Sequence, residues 1–184
     1  YAIARMTWKL KNAVYGLFMI GIMIPAQAAL LPLFQILDTL GLKGGYLGLM
    51  IPYIAGALPM SIMILVGFYR GIPREMEEAA YIDGCNRWQT YWKIVFPLLK
   101  PTIATVAIID AMAFWNDYLL PSLVLGRKEL YTLPIATQAF YGTYSTDLGL
   151  VMAALLLAML PILVLYLFLQ RYIVEGVTSG AVKG

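Results

Sequence analysis

Long apolar stretches separated by short polar segments form the main pattern of this sequence. Four of them are about as long as the roughly 20 apolar residues that a helix needs to cross a hydrocarbon layer. They are Asn12–Leu37, Gly44–Tyr69, Pro101–Gly126 and Leu148–Gln170. The third contains two carboxylates, Asp110 and Asp117, and the others contain no Asp, Glu, Lys or Arg. Because a soluble helix bundle would show polar stripes, the pattern predicts an all-α polytopic membrane helix bundle in which these stretches are spans.

Composition and charge agree with this prediction and give the spans an orientation. The 184 residues are 61% hydrophobic, with a mean hydropathy of +0.78, far above that of an ordinary globular domain. Ten of the 13 Lys and Arg residues lie in residues 1–11, 70–100 and 171–184, and the other three lie in 38–43 and 127–147. Since basic residues concentrate in cytoplasmic loops, the first three segments are predicted to be cytoplasmic and the last two extracytoplasmic. The net charge of +3 then reflects membrane topology, and no nucleic-acid partner is expected.

The residue types that support redox, metal or acid–base chemistry are scarce. The chain has one cysteine, Cys85, so these residues cannot form an intrachain disulfide. It has no histidine, which is the commonest metal ligand. It also lacks the G-x-x-x-x-G-K-[ST] phosphate loop that binds nucleotides. A membrane-embedded enzyme is therefore disfavoured. A secondary transporter driven by protons or sodium stays an alternative, with Asp110 and Asp117 as its coupling carboxylates.

The predicted cytoplasmic segment 70–100 is too strongly patterned for a plain connector. Pro73 suits the start of a helix, and carboxylates in the first turn favour a helix because they interact with the positive end of its dipole. These carboxylates are Glu75, Glu77 and Glu78. The pattern predicts a short helix over about Arg74–Asp83, and Gly84 permits the helix to end at a positive φ.

A second short helix is predicted after Gly84. Asn86 can cap this helix, which would extend through Tyr91–Phe96 until Pro97 halts it. The aromatic residues of the segment leave one alternative open, an amphipathic hairpin that lies on the membrane surface with its rings in the headgroup region. Those residues are Trp88, Tyr91 and Trp92.

This cytoplasmic segment resembles the EAA motif of ABC-importer permeases. The matching positions, at the spacing of the motif, are Glu78-Ala79-Ala80, Gly84, Ile94 and Phe96-Pro97. The one departure is Phe96, where the family pattern has Leu. The resemblance implies that the segment docks on an ATP-binding cassette ATPase, which binds ATP and Mg, and that this chain holds no cofactor. The residues to which it assigns coupling are Glu78, Ala79, Ala80, Asp83 and Gly84, with Arg74 and Arg87 as an extension.

The resemblance covers the whole chain and extends to carbohydrate-importer permeases, including the smaller permease of maltose-type systems. Tyr1–Arg5 looks like the end of an earlier span, so N-terminal spans would precede this fragment. Further matching runs are Trp115-Asn116-Asp117, Gln170-Arg171-Tyr172 and the terminal Gly180–Gly184. The implied function is that of a permease subunit forming half of a translocation pathway for a sugar or related solute. A non-sugar solute stays an alternative.

The same resemblance implies partners and a location. The partners are an ATPase dimer, a second permease subunit in a heterodimer, an extracytoplasmic solute-binding protein and membrane lipid. The binding protein would contact segment 127–147, which contains Tyr131, Tyr141 and Tyr144. Tail residues that would contact the ATPase dimer are Gly180, Lys183 and Gly184. The implied location is the plasma (inner) membrane of a bacterium or archaeon, with several crossings.

The third span offers candidates for the translocation pathway. At 1.5 Å per residue from Thr102, Asp110 lies about 12 Å up the helix, near mid-membrane, and Asp117 lies about 22 Å up. A carboxylate at mid-membrane is costly in lipid and favours the bundle interior or a water-filled route. Trp115, Asn116 and Asp117 lie toward the outer mouth, where they can contact a sugar. A structural hydrogen-bonding role for Asp110 and an ordinary interfacial location for the other three stay open.

Overall fold

Helices provide all of the regular secondary structure in the described part of the chain. The computed structural model describes residues 1–140 and 148–181, with side chains except at Ala139, Leu169 and residues 171–181. No strand occurs in these two ranges, which confirms the all-α prediction. Within them the α-helices are α1 (Ala2–Arg5), α2 (Lys11–Met23), α3 (Ala26–Thr39), α4 (Tyr46–Gly71), α5 (Glu75–Ile82), α6 (Arg87–Thr90), α7 (Phe96–Asn116), α8 (Leu119–Val124), α9 (Leu133–Thr137) and α10 (Leu148–Ala181). A π-helix spans Tyr91–Val95, and 3-10 helices span Lys128–Leu130 and Gln138–Phe140.

Three helices in the described part of the chain are long and apolar enough to cross a membrane by themselves. They are α4, the continuous run Arg87–Asn116 and the stretch Leu148–Phe168 of α10. The helix α10 continues beyond Gln170, where the predicted fourth span ends, as far as Ala181. Membrane crossing by each of these helices stays a prediction from length and composition.

The first predicted span, residues 12–37, is not one continuous helix. The helix α2 ends at Met23, and α3 begins at Ala26 with Pro25 as its N-cap in an extended conformation. Proline has no N–H to donate and restricts the residue before it to extended conformations, so the first helix ends ahead of Pro25. The two helices are long and apolar enough to cross a membrane only when they are taken together, as one span that is broken at Pro25.

The third predicted span, residues 101–126, also differs from the structure at both ends. The prediction that Pro97 halts the preceding helix is wrong, because α6 continues through the π-helix into α7. A π-helix shifts the hydrogen-bond register of a helix, and this shift accommodates a residue that has no N–H. At the other end α7 stops at Asn116, and α8 begins at Leu119 as a separate helix.

The described contacts divide the chain into two units, each with its own apolar core. The first unit comprises Tyr1–Met23, Leu58–Ile109 and the described chain from Leu169. Its buried core residues are Tyr69, Ile72, Val95 and Leu99. Tyr1 and Ala4 pack against this core. The N-terminal helix, the end of α4 and the π-helix are thereby packed together.

The second unit comprises Ile24–Ala57 and the described residues of Asp110–Phe168. Its buried core residues are Leu37, Leu49, Leu120, Val124, Leu125 and Ile135. Within it, the Cβ position of Gly48 lies 2.2 Å from the carbonyl oxygen of Leu42. No side chain fits at that distance, so α4 approaches the preceding turn closely because residue 48 is glycine.

Much of the apolar surface of this chain is not covered by the chain itself. On α10, for example, Leu156 is 66% exposed and Leu157 is 65% exposed. A soluble monomer rarely exposes extended apolar surface of this kind. The exposure agrees with the prediction that lipid and partner subunits surround these helices.

Candidate functional site

The short helix that the sequence predicts before Gly84 is α5, which spans Glu75–Ile82 with three carboxylates in its first turn. Gly84 has a φ of +83°, a conformation that favours glycine. Its N–H donates to the carbonyl oxygen of Tyr81 at 3.0 Å. The N–H of Cys85 donates to the carbonyl oxygen of Ala80 at 2.9 Å. These two bonds form a Schellman C-cap and fix the turn at which α5 ends.

A capping box starts the next helix, α6. Asn86 Oδ1 accepts a hydrogen bond from the Gln89 N–H at 2.9 Å, and the Asn86 N–H donates to Gln89 Oε1 at 2.9 Å. The prediction that Asn86 caps a second helix is therefore confirmed. Only Gly84 and Cys85 separate Asn86 from Asp83, the C-cap of α5. Local hydrogen bonds thus hold both sides of the glycine turn.

The helix α5 turns one face toward its own chain and the other outward. Glu77 and Ala80 are buried, and their spacing of three residues places them on one face. Glu78 and Ala79 are exposed, and Ile82 is 86% exposed. Of the predicted coupling residues, Ala80 therefore packs within this chain, whereas Ala79 is free for contact with a partner. The other predicted coupling residues are also exposed: Arg74, Asp83, Gly84 and Arg87.

The inward face of α5 carries a buried ion pair that the sequence analysis did not anticipate. Arg5 Nε lies 2.8 Å from Glu77 Oε1, and each side chain is 9% exposed. The Arg5 guanidinium also donates to the carbonyl oxygen of Ile72. The Tyr1 hydroxyl donates to Glu77 Oε2 at 2.9 Å. The buried charge of Glu77 is thus paired with a cation, and one of its two oxygens accepts a hydrogen bond. The sequence gives three carboxylates in the first turn of α5 and does not single out Glu77 as the inward one.

Tyr1 links this ion pair to two further helices. Its ring contacts Tyr69 of α4 edge-on at a centroid distance of 5.9 Å, and Tyr91 of the π-helix edge-on at 5.4 Å. Burial, and then the hydrogen bond to Glu77, raise the pKa of the Tyr1 hydroxyl above its ordinary value. The hydroxyl therefore stays protonated at neutral pH and remains a donor to Glu77.

Three of the predicted coupling residues line one pocket beside the ion pair. They are Arg74, Glu78 and Arg87, and they share the pocket with Tyr1, Arg5, Met6, Thr7, Glu77 and Tyr81. Three arginines and two glutamates are among these residues, so the lining carries one excess positive charge. The pocket thus brings together residues that are far apart in sequence. Its lining includes Arg74 and Arg87, the two arginines to which the predicted coupling role was extended.

The second helix of the segment is the beginning of the continuous run Arg87–Asn116. The alternative of an amphipathic hairpin on the membrane surface stays open for the aromatic residues of this helix. Its exposed aromatic side chains include Trp88, which is 70% exposed and packs edge-on against Trp92 at 5.7 Å. The helix that follows the glycine turn is therefore continuous with α7.

Asp117, a predicted pathway residue, lies between α7 and α8 and accepts two hydrogen bonds. Its Oδ1 accepts from the Leu119 N–H at 3.0 Å, and its Oδ2 accepts from the Tyr53 hydroxyl at 2.9 Å. The Tyr53 ring stacks on Phe114 at a centroid distance of 4.3 Å. Asp117 therefore closes an Asx turn at the start of α8 and ties that turn to α4. Its role in a solute pathway stays a prediction.

The other predicted pathway residues also have partners within the chain. Trp115 Nε1 donates to the carbonyl oxygen of Ala158 at 2.9 Å, which links α7 to α10. The Asn116 amide donates to the carbonyl oxygen of Met112, one turn earlier, at 2.8 Å. Asp110 is half-buried and also has an interaction partner. The partner of Asp110 is compatible with its structural alternative. A pathway role for the three residues, and the interfacial alternative for Trp115 and Asn116, stay predictions.

Some predicted contact residues lie outside the described residues. They are Tyr141 and Tyr144 of the predicted extracytoplasmic segment and Lys183 and Gly184 of the tail. Gly180 lies within the described backbone of α10. The contacts predicted for these residues stay predictions.

Comparison with known proteins gives matches over the whole chain. Residues 1–179 match the family described as "Binding-protein-dependent transport system inner membrane component". A multiple sugar-binding transport system permease protein of Streptococcus mutans is 38% identical over 187 residues, which cover 100% of this chain and 67% of the relative. A melibiose/raffinose/stachyose import permease protein of Bacillus subtilis is 39% identical over 185 residues, covering 100% and 67%. A trehalose transport system permease protein of Mycobacterium tuberculosis is 38% identical over 186 residues, covering 100% and 68%.

A solved structure shares the fold. It is a bacterial ABC transporter involved in the import of the acidic polysaccharide alginate, with a TM-score of 0.78 and 22% identity. The match covers 94% of this chain and 65% of that chain. This chain spans about two thirds of the length of the curated relatives it matches.

Proposed function

This chain belongs to the family of binding-protein-dependent transport system inner membrane components, and on that premise we propose that it is the permease subunit of an ATP-driven importer. The proposed cargo is a sugar or a related solute. Relatives named for multiple sugars, for melibiose, raffinose and stachyose, and for trehalose support a carbohydrate. The subunit forms half of the translocation pathway, and it is not itself the ATP-hydrolysing enzyme.

The exposed face of α5 carries the proposal. Glu78 and Ala79 are exposed on a helix whose inner face is anchored through Glu77, and the Schellman turn at Gly84 fixes where that helix ends. A short, rigid helix with a small residue at its surface suits insertion into a groove of another protein. That geometry, at the residues that match the EAA motif, supports docking of an ATPase at this face.

The proposed partners follow from this assignment. An ATP-binding cassette dimer binds ATP and Mg and contacts α5, a second permease subunit completes the pathway, and an extracytoplasmic protein delivers the solute. Segment 127–147 is proposed to contact that binding protein. The tail is proposed to contact the ATPase dimer through Gly180, Lys183 and Gly184. We place the complex in a bacterial or archaeal inner membrane. The proposed pathway residues are Asp110, Trp115, Asn116 and Asp117.

The energy source of uptake tests the proposal. The complete subunit is reconstituted in vesicles with its copurifying permease, ATPase and solute-binding protein, and a ligand screen of the binding protein supplies the solute. We expect uptake that needs ATP on the ATPase side and stops when the ATPase is omitted. Uptake driven by a proton or sodium gradient without the ATPase would instead establish the secondary-transporter alternative.

A further inference from the structure

We propose that Arg5 and Glu77 are positioning residues that transmit the movement of α5 to α1, the short helix that precedes α2. The inference rests on the proposed function, because α5 is the helix that the ATPase would move. The contact between Glu77 and Arg5 is a second route by which movement of α5 reaches other parts of the chain. The first route is the unbroken run of helix that begins at Arg87 and continues into α7.

One guanidinium joins three parts of the first unit. Arg5 lies in the last turn of α1. Its Nε forms an ion pair with Glu77 Oε1 in α5 at 2.8 Å, and its guanidinium donates a hydrogen bond to the carbonyl oxygen of Ile72, in the connection between α4 and α5. Because the guanidinium is a rigid planar group, the ion pair and the hydrogen bond together fix α1 against both α5 and the connection. A displacement of α5 therefore displaces α1.

Tyr1 makes this link stiffer. Its hydroxyl donates to the second oxygen of Glu77 at 2.9 Å, and its ring packs on Tyr69 and Tyr91. Tyr1 and Ala4 also contact the apolar core of the first unit. Each side chain of the ion pair is only 9% exposed, so solvent and salt screen it much less than a surface pair.

The ion pair is separate from the surface proposed for the ATPase. Glu77 is buried, whereas Glu78 and Ala79 on the same helix are exposed. A buried ion pair is weak evidence for a gain in stability, because desolvation offsets much of the attraction. A role in holding two helices in one orientation explains why charged groups occupy this position. A variant at Glu77 can therefore break the link without altering the docking face.

The ratio of solute imported to ATP hydrolysed tests this role. We compare Glu77→Gln with Asp38→Asn in the complete, assembled transporter. Asp38 also pairs with a cation, Lys43, at 3.0 Å, but its side chain is 65% exposed and it belongs to the second unit. Both variants replace a carboxylate by an amide. The amide at residue 77 keeps an acceptor for Tyr1 and removes the charge that pairs with Arg5. We expect Glu77→Gln to lower the ratio by about tenfold, because the attraction within a buried ion pair is lost, and Asp38→Asn to leave the ratio unchanged.

A merely structural role would give a different result. It would lower the amount of assembled transporter and both rates in proportion, and an unchanged ratio in Glu77→Gln would overturn the proposal. If that variant does not assemble, Tyr1→Phe removes only the hydroxyl and is expected to lower the ratio less, and an unchanged ratio there would also overturn it. Absence of ATP-driven uptake in the unsubstituted transporter would contradict the proposed function instead, so the two failures are distinguishable.

Discussion

Gly84 is the residue at which backbone conformation and the proposed coupling coincide. Its φ of +83° is strained for a residue with a side chain, most of all for a β-branched one. We expect Gly84→Val to abolish coupling and to leave the subunit in the membrane, because a local cost of about 1–3 kcal/mol displaces the turn without removing a span. ATP-dependent uptake, normalised to the amount of subunit in the membrane, measures the effect.

Gly84→Asn is the matched control, because asparagine tolerates the left-handed conformation better than valine does. No atom lies within 4 Å of the Cβ position of Gly84, so the larger residue meets no clash within the described chain. We expect Gly84→Asn to keep more of the coupling than Gly84→Val. Equal loss in both would assign the effect to crowding at the partner surface, and normal transport by Gly84→Val would refute the coupling role.

Asp117 accepts two hydrogen bonds within the chain, so its substitution should lower stability in addition to any effect on transport. Asp117→Ala removes the acceptor of the Leu119 N–H and of the Tyr53 hydroxyl, which should cost about 1–3 kcal/mol and lower the thermal midpoint of the purified subunit. Asp117→Asn keeps an oxygen for the Leu119 N–H and should lower the midpoint less. An unchanged midpoint in the alanine variant would exclude the structural role. Unchanged uptake kinetics in the asparagine variant would count against a pathway role for the charge.

Single residues differ in how far the sequence predicts them. The glycine turn and the Asn86 cap were predictable because their signals are local, with partners within five residues. The Tyr1–Glu77 contact joins residues 76 positions apart, and the Tyr53–Asp117 contact joins residues 64 positions apart. Such pairs depend on how helices pack, and a single sequence carries no direct signal of that packing.

At the scale of elements, replacing two glycines of α4 by alanine is expected to have opposite effects on stability. The Cβ position of Gly48 lies 2.2 Å from the backbone oxygen of Leu42, whereas no atom lies within 4 Å of that of Gly56. We expect Gly48→Ala to destabilise the subunit by about 1–3 kcal/mol, since the backbone must move. Gly56→Ala should be neutral or slightly stabilising, because alanine favours a helix more than glycine does. Thermal unfolding of the two variants compares them, and equal midpoints would be inconsistent with the close approach at Gly48.

The boundaries of the helices show what apolar length alone does not determine. Apolar stretches predicted where the long helices lie, but Pro25 interrupts the first stretch and Pro97 does not interrupt the helix in which it lies. Both residues lack an N–H. A π-helix lies directly before Pro97 and shifts the hydrogen-bond register there. Val95 of this π-helix and Leu99 after it are buried in the core of the first unit, and no single-sequence signal predicts that packing.

At the scale of the whole molecule, the outer face of α5 is the proposed site of contact between this membrane component and an ATPase. Three sequence properties agree on the location of this helix, namely its position in a basic segment, its match to the EAA motif and its place between two span-length helices. The structure adds that the face opposite the buried ion pair is exposed. Docking at that face is therefore the central claim.

Site-specific cross-linking from α5 tests this claim most directly. Cys85 is the one cysteine of this sequence. Replacing it, together with any other cysteine of the assembled transporter, by serine allows Ala79→Cys to report on the exposed face. Leu40→Cys, 63% exposed in the segment predicted to lie outside the membrane, is the control. We expect Ala79→Cys to cross-link to the ATPase with a yield that changes when ATP is added, and Leu40→Cys to give no such product. An actively transporting complex in which Ala79→Cys gives no cross-link to the ATPase would contradict the account.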